Sequence, residues 1–100
     1  MSSQFIVFLE PARDGMVANP TAEEAAKVQA HFEYLKSLTE RGVVVLAGRT
    51  TEPPITGLVV FFASDEAAAR SLMVDDPAVK AGVFKARLQP FGIALRGDRG

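Results

Sequence analysis

His31 is the only histidine in the 100-residue chain, and cysteine is absent. The imidazole is therefore the one side chain that ordinarily titrates near neutral pH, and any acid–base chemistry starts with it. Asp76 is its candidate partner, because a carboxylate against one ring nitrogen orients an imidazole and stabilises its protonated form. The spacing is silent on this pairing, and an aspartate directly before Pro77 is equally a good helix N-cap. The two roles are compatible. Arg49 follows an Ala47-Gly48 strand end, where it can clamp an anionic group or remain a solvated loop charge. Arg13 has the same ambiguity with a weaker case. Tyr34 can line a pocket, although a half-buried helix position describes it as well.

Several chemistries lack their residues. A single histidine without cysteine gives no zinc-ligand spacing and no disulfide framework. No glycine-rich phosphate loop and no G-x-S-x-G elbow occurs. No cofactor is expected; haem ligation would rest on His31 alone. Net charge is −1 with the basic residues scattered, which argues against a nucleic-acid partner. The N-terminus lacks a basic, signal-like region, and no window approaches the ~18 apolar residues of a membrane span. The absence of cysteine suits a reducing compartment, and a cytoplasmic location without membrane association is expected.

Length, 48% hydrophobic residues and 23% charge fit one packed domain, placed at residues 1–96, with a flexible tail at 97–100. Phe5 to Leu9 is a β-branched and aromatic run that reads as a strand. A loop through Pro20 follows. Thr21-Ala22-Glu23-Glu24 has the capping-box pattern, with Asn19 before Pro20 as the alternative start. Ala25, Val28, Phe32, Leu35 and Leu38 recur at helical spacing and are expected to face the core, with His31 at the edge of that stripe. Gly42 is the natural stop. Strands are predicted over Val43–Gly48 and Thr56–Ala63, then a helix from the Ser64-Asp65 cap to about Val74. A turn over Pro77–Gly82 precedes a last strand in which Phe84, Ala86 and Leu88 alternate with polar residues, and Pro90 suits an edge or a bulge.

The order strand, helix, strand, strand, helix, strand is that of an α+β, ferredoxin-like βαββαβ fold, with both helices on one sheet face. A sheet wet on its other face should alternate apolar and polar residues. The first three strands are apolar at both parities: Ile6 and Phe8 oppose Phe5, Val7 and Leu9, and Val59 and Phe61 oppose Leu58, Val60 and Phe62. A homodimer packed sheet to sheet is the economical way to cover the second face.

The runs His31-Phe32-Glu33-Tyr34-Leu35-Lys36-Ser37-Leu38 with Gly42, Val45-Leu46-Ala47-Gly48, and Asp75-Asp76-Pro77-Ala78-Val79-Lys80-Ala81-Gly82-Val83-Phe84 resemble the YciI-like (YCII-related) family of small bacterial proteins. The resemblance spans nearly the whole chain. It implies a dimeric α+β barrel and an active-site His–Asp pair, which carries over onto His31 and Asp76. One characterised branch of that family eliminates chloride from a chlorinated hydroxyquinone. The implied activity here is acid–base chemistry of lyase or elimination type on a small anionic or phenolic molecule, with Arg49 and Tyr34 on the substrate; the alternative is a module that binds a small molecule without turnover. Two positions depart from the family pattern. Val28 stands where an arginine is frequent one turn before the histidine, and Arg49 stands where proline often follows the Ala-Gly strand end. The charge that holds a substrate then comes from elsewhere, Arg49 being the candidate.

Overall fold

The computed structural model describes residues 3–97. The tail assigned to 97–100 falls almost wholly outside the described residues. Strand β1 (Ser3–Pro11) leads through a loop to helix α1 (Ala22–Glu40), followed by β2 (Val44–Arg49) and β3 (Gly57–Ala63). Helix α2 (Glu66–Val74), the short helix α3 (Pro77–Lys80) and β4 (Phe84–Pro90) complete the chain. The strands form one sheet in the order β2-β3-β1-β4, with β1 antiparallel to both β3 and β4, and β2 antiparallel to β3. This is the ferredoxin-like α+β arrangement, with Pro90 at the end of an edge strand where its missing N–H does no harm.

Local sequence sets each boundary. The Thr21 hydroxyl accepts from Glu24 N at 3.1 Å while the Glu24 carboxylate accepts from Thr21 N at 2.8 Å, so Thr21 rather than Asn19 is the cap. Gly42 ends α1 with φ +77°, a conformation that a Cβ would strain. Asp65 caps α2 through Ala68 N. The segment expected as a turn after Asp76 is the one-turn helix α3, with Pro77 at its first position.

The helices cover one face of the sheet. Phe5, Val7 and Leu9 of β1, Val44 of β2, and Val59, Phe61 and Ala63 of β3 pack there with Leu38 of α1 and Ala69 of α2. Burying a large apolar side chain of this kind contributes about 1.5–3 kcal/mol, and this layer supplies most of the cohesion. On the other face, Ile6 and Val60 are buried by their neighbours, Phe8, Leu58 and Phe62 are half-buried, and the Arg87 guanidinium lies 4.3 Å from the centre of the Phe8 ring. That face is thus apolar across β1 and β3 but less bare than the run of hydrophobic residues suggests.

The expectation that Ala25, Val28 and Phe32 join the core is corrected. Leu38 is buried and Leu35 half-buried, yet Phe32 is 59% exposed and Ala25 and Val28 are exposed as well. At ~100° per residue, Phe32 lies about 120° around the helix from Leu38. The apolar stripe is too wide for the sheet, and its leading edge looks past the short edge strand β2.

Candidate functional site

His31 sits mid-way along α1 with its side chain only 15% exposed, and its Nδ1 lies 2.5 Å from Asp76 Oδ2. An ionised carboxylate only accepts hydrogen bonds, so Nδ1 carries the hydrogen and Nε2 is the basic nitrogen. Nε2 has no partner among the described residues, where no buried side-chain nitrogen or oxygen is left unpaired, so it retains access to solvent. The Phe84 ring of β4 meets the imidazole edge-on, with centroids 5.1 Å apart and an interplanar angle of 73°. Ring orientation is thereby fixed from two directions.

Asp76 is buried, at 4% exposure, and each of its oxygens has one partner. Oδ2 takes the imidazole, and Oδ1 accepts from Ala78 N at 2.9 Å as the cap of α3. The same Asp-Pro step that starts α3 thus aims the carboxylate at α1. Capping and imidazole orientation are one device here. The loop before α1 braces it: Met16 is buried against Ala78 and Val83, with Phe84 alongside.

Tyr34 lies one turn beyond His31, but its hydroxyl donates to the Leu72 carbonyl at 2.7 Å. Burial, and then the charges of Asp75 and Asp76, push its phenol up to about 12. Together Tyr34 and His31 pin α1 to the α2–α3 junction. The ring faces the interior beside Asp76, Leu72 and Phe61 and is absent from the walls of the cleft described below. The substrate contact expected of Tyr34 therefore finds no support in this geometry.

A cleft of about 790 Å³ opens between α1, the loop before it and the edge strand β2. His31 and Phe84 lie at one part of it; Val17, Val28, Phe32 and Ile55 form apolar walls. Arg49 lines it too, and a bulge explains why. Val44 pairs with Phe61 but Leu46 with Val60, so one residue is inserted and the parity of β2 reverses. Without the bulge Arg49 would face away from the helices. With it, Arg49 pairs with Gly57, itself opposite Leu9 on the helix side. Gly57 keeps this row open, since a Cβ there would come within 3.2 Å of Leu9 Cβ.

Arg13 is not a free cation. Its guanidinium donates to both Glu24 oxygens, at 3.0 and 2.7 Å, and to the Asn19 carbonyl at 3.0 Å. The Arg13 hydrogen bond, with that from Thr21 N, holds the Glu24 carboxyl down at about 2. Arg13 therefore ties the loop to the start of α1. Among the described residues no three acidic or imidazole side chains converge to hold a metal ion, and no helix is long and apolar enough to cross a membrane.

With this geometry in place the comparisons are specific. The YCII-related domain matches residues 5–89, which takes in all but the outer ends of β1 and β4, with both long helices, His31 and Asp76. The chain belongs to the YCII-related family. Among solved structures, it is similar to the uncharacterized protein TM1266 from Thermotoga maritima, with a TM-score of 0.56 at 10% identity. That match covers 92% of this chain and 100% of the other. At such identity the likeness speaks for the fold alone. No curated protein sequence matches the chain. The sequence had pointed to His31, Asp76 and Arg49 but missed Val28, Phe32 and Gly57 as parts of the cleft.

Proposed function

We propose that this YCII-related protein is an acid–base enzyme of lyase or elimination type, in which His31 Nε2 takes a proton from a small anionic or phenolic substrate. Asp76 holds the ring in the Nδ1–H form and stabilises the imidazolium, and the same Nε2–H then returns the proton to a leaving group or to the product. Arg49 offers its guanidinium to the substrate's negative charge. The observation that carries this reading is the 2.5 Å contact of a buried, twice hydrogen-bonded carboxylate with an imidazole that lines a cleft and whose other nitrogen has no partner among the described residues. Positioning of this sort is what acid–base catalysis requires.

The test is a screen of activated carbon acids and β-halo phenolic or quinone compounds against wild type and His31→Gln. Turnover by wild type that falls at least about 100-fold in His31→Gln is the expected result. Saturable binding without turnover would replace the enzyme with a binding module, and equal turnover in both proteins would remove His31 from the chemistry.

We further propose that the second sheet face pairs with itself in a two-fold dimer, since Ile6, Phe8, Leu58, Val60 and Phe62 make it apolar across its central strands. Sedimentation equilibrium should give twice the chain mass of 10.7 kDa. Phe62→Lys should shift the species toward the single-chain mass with the far-ultraviolet spectrum retained. A wild type that stays monomeric at 100 μM or above (on the order of 100 times a μM-strength Kd) would refute it.

A further inference from the structure

Phe32 is 59% exposed and Val28 36% exposed, one turn apart on the α1 wall of the cleft. Val17 and Ile55 extend this apolar lining. Contiguous exposed apolar surface on a small protein marks a binding site more often than it does chance. The size of the cleft decides what kind of ligand fits. A closed cavity of ~150 Å³ suffices for a single benzene ring, whereas this opening measures about 790 Å³. A lone phenol would leave most of the wall wet.

Charge decides the rest. The ionisable groups on the lining are His31, Lys36, Glu40 and Arg49. Arg49 and Lys36 enter no ion pair among the described residues, and together they outnumber the single carboxylate of Glu40. The bulge in β2 turns Arg49 to the helix side, where Gly57 leaves room beside it. A cation brought to an apolar cleft by an inserted residue suits an anion joined to an apolar body.

We infer that the cleft takes an amphipathic carboxylate, a molecule with an extended apolar body seated on Val28, Phe32 and Ile55 and a single carboxylate at Arg49. This rests on the reading of the cleft as the ligand site and names a larger and more apolar substrate class than a simple phenol.

Calorimetry with hexanoate, octanoate and decanoate, and with 1-octanol as the neutral comparison, tests it. Affinity should rise about fourfold per added methylene, and octanoate should bind at least about tenfold tighter than octanol. Arg49→Gln should erase the preference for octanoate over octanol. Phe32→Ser should flatten the dependence on chain length. Both side chains are exposed, so the fold should survive, as circular dichroism checks. No binding by any of the carboxylates, affinity independent of chain length, equal binding of octanol, or variants that behave as wild type would each overturn the inference. The tautomer of the His31 ring, read from imidazole ¹⁵N chemical shifts of ligand-free protein, is a separate measurement that bears on His31 and Asp76 alone. Failure of the carboxylate series leaves the acid–base reading standing, and failure of the tautomer measurement leaves the ligand class standing.

Discussion

Asp76→Asn should cut the proposed proton transfer by His31 by several orders of magnitude while leaving the fold in place. Asparagine is as good an N-cap as aspartate, and its Oδ1 can still accept from Ala78 N, as Asp76 Oδ1 does at 2.9 Å. That fixes which way the amide points, because turning it would set its NH2 against the Ala78 N–H. The NH2 then faces His31 Nδ1 and donates to it, where the aspartate accepts at 2.5 Å. His31 must answer by moving its ring hydrogen to Nε2. Nε2, the nitrogen left without a partner, becomes a donor and ceases to be a base. Turnover should fall on the order of 10³- to 10⁴-fold, the usual consequence of a wrong tautomer. ¹⁵N chemical shifts of the single imidazole provide the direct readout: the Nδ1–H form in wild type and the Nε2–H form in the variant. The same tautomer in both proteins would remove Asp76 from the mechanism.

The readability of this chain follows the range of the forces involved. Thr21, Asp65 and Gly42 act within a few residues of themselves, through caps and a left-handed turn, and their roles could be read from sequence. Strand order followed as well, because few topologies satisfy short connections and right-handed crossovers. Phe32 resisted the same treatment. Hydrophobic spacing reports that a side chain avoids water in some state, and a ligand cleft satisfies that pattern as well as a core does. Arg49 resisted for a different reason. Its direction depends on the residue inserted between Val44 and Leu46, and in a run of three valines and a leucine nothing marks where the insertion falls. Tyr34 is a half-buried helix residue, and its partner, the Leu72 carbonyl, is a backbone atom 38 positions away that leaves no trace in side-chain types. The pairing of His31 with Asp76 came from family resemblance; the residues alone offered only two plausible groups far apart in the chain.

Asp76→Ala should behave quite differently from Asp76→Asn, and the contrast separates structural from chemical work at one position. Alanine deletes the cap of α3, worth about 1 kcal/mol, and leaves Ala78 N without its acceptor in a buried setting. It also strips the partner from the half-buried His31 Nδ1, adding a desolvation cost of about 1–3 kcal/mol. The total loss should be about 2–4 kcal/mol, and for a chain of this size the thermal midpoint should fall by roughly 10–25 °C. The α3 turn and the Met16 loop that leans on Ala78 should loosen first, visible as early amide exchange there. Asp76→Asn keeps the cap and should lose only a small part of this stability. If the alanine and asparagine variants melt together near wild type, the carboxylate contributes little to folding, and its burial against His31 is explained by chemistry alone. If both melt far below wild type, the ion pair itself carries the stability and the cap is secondary.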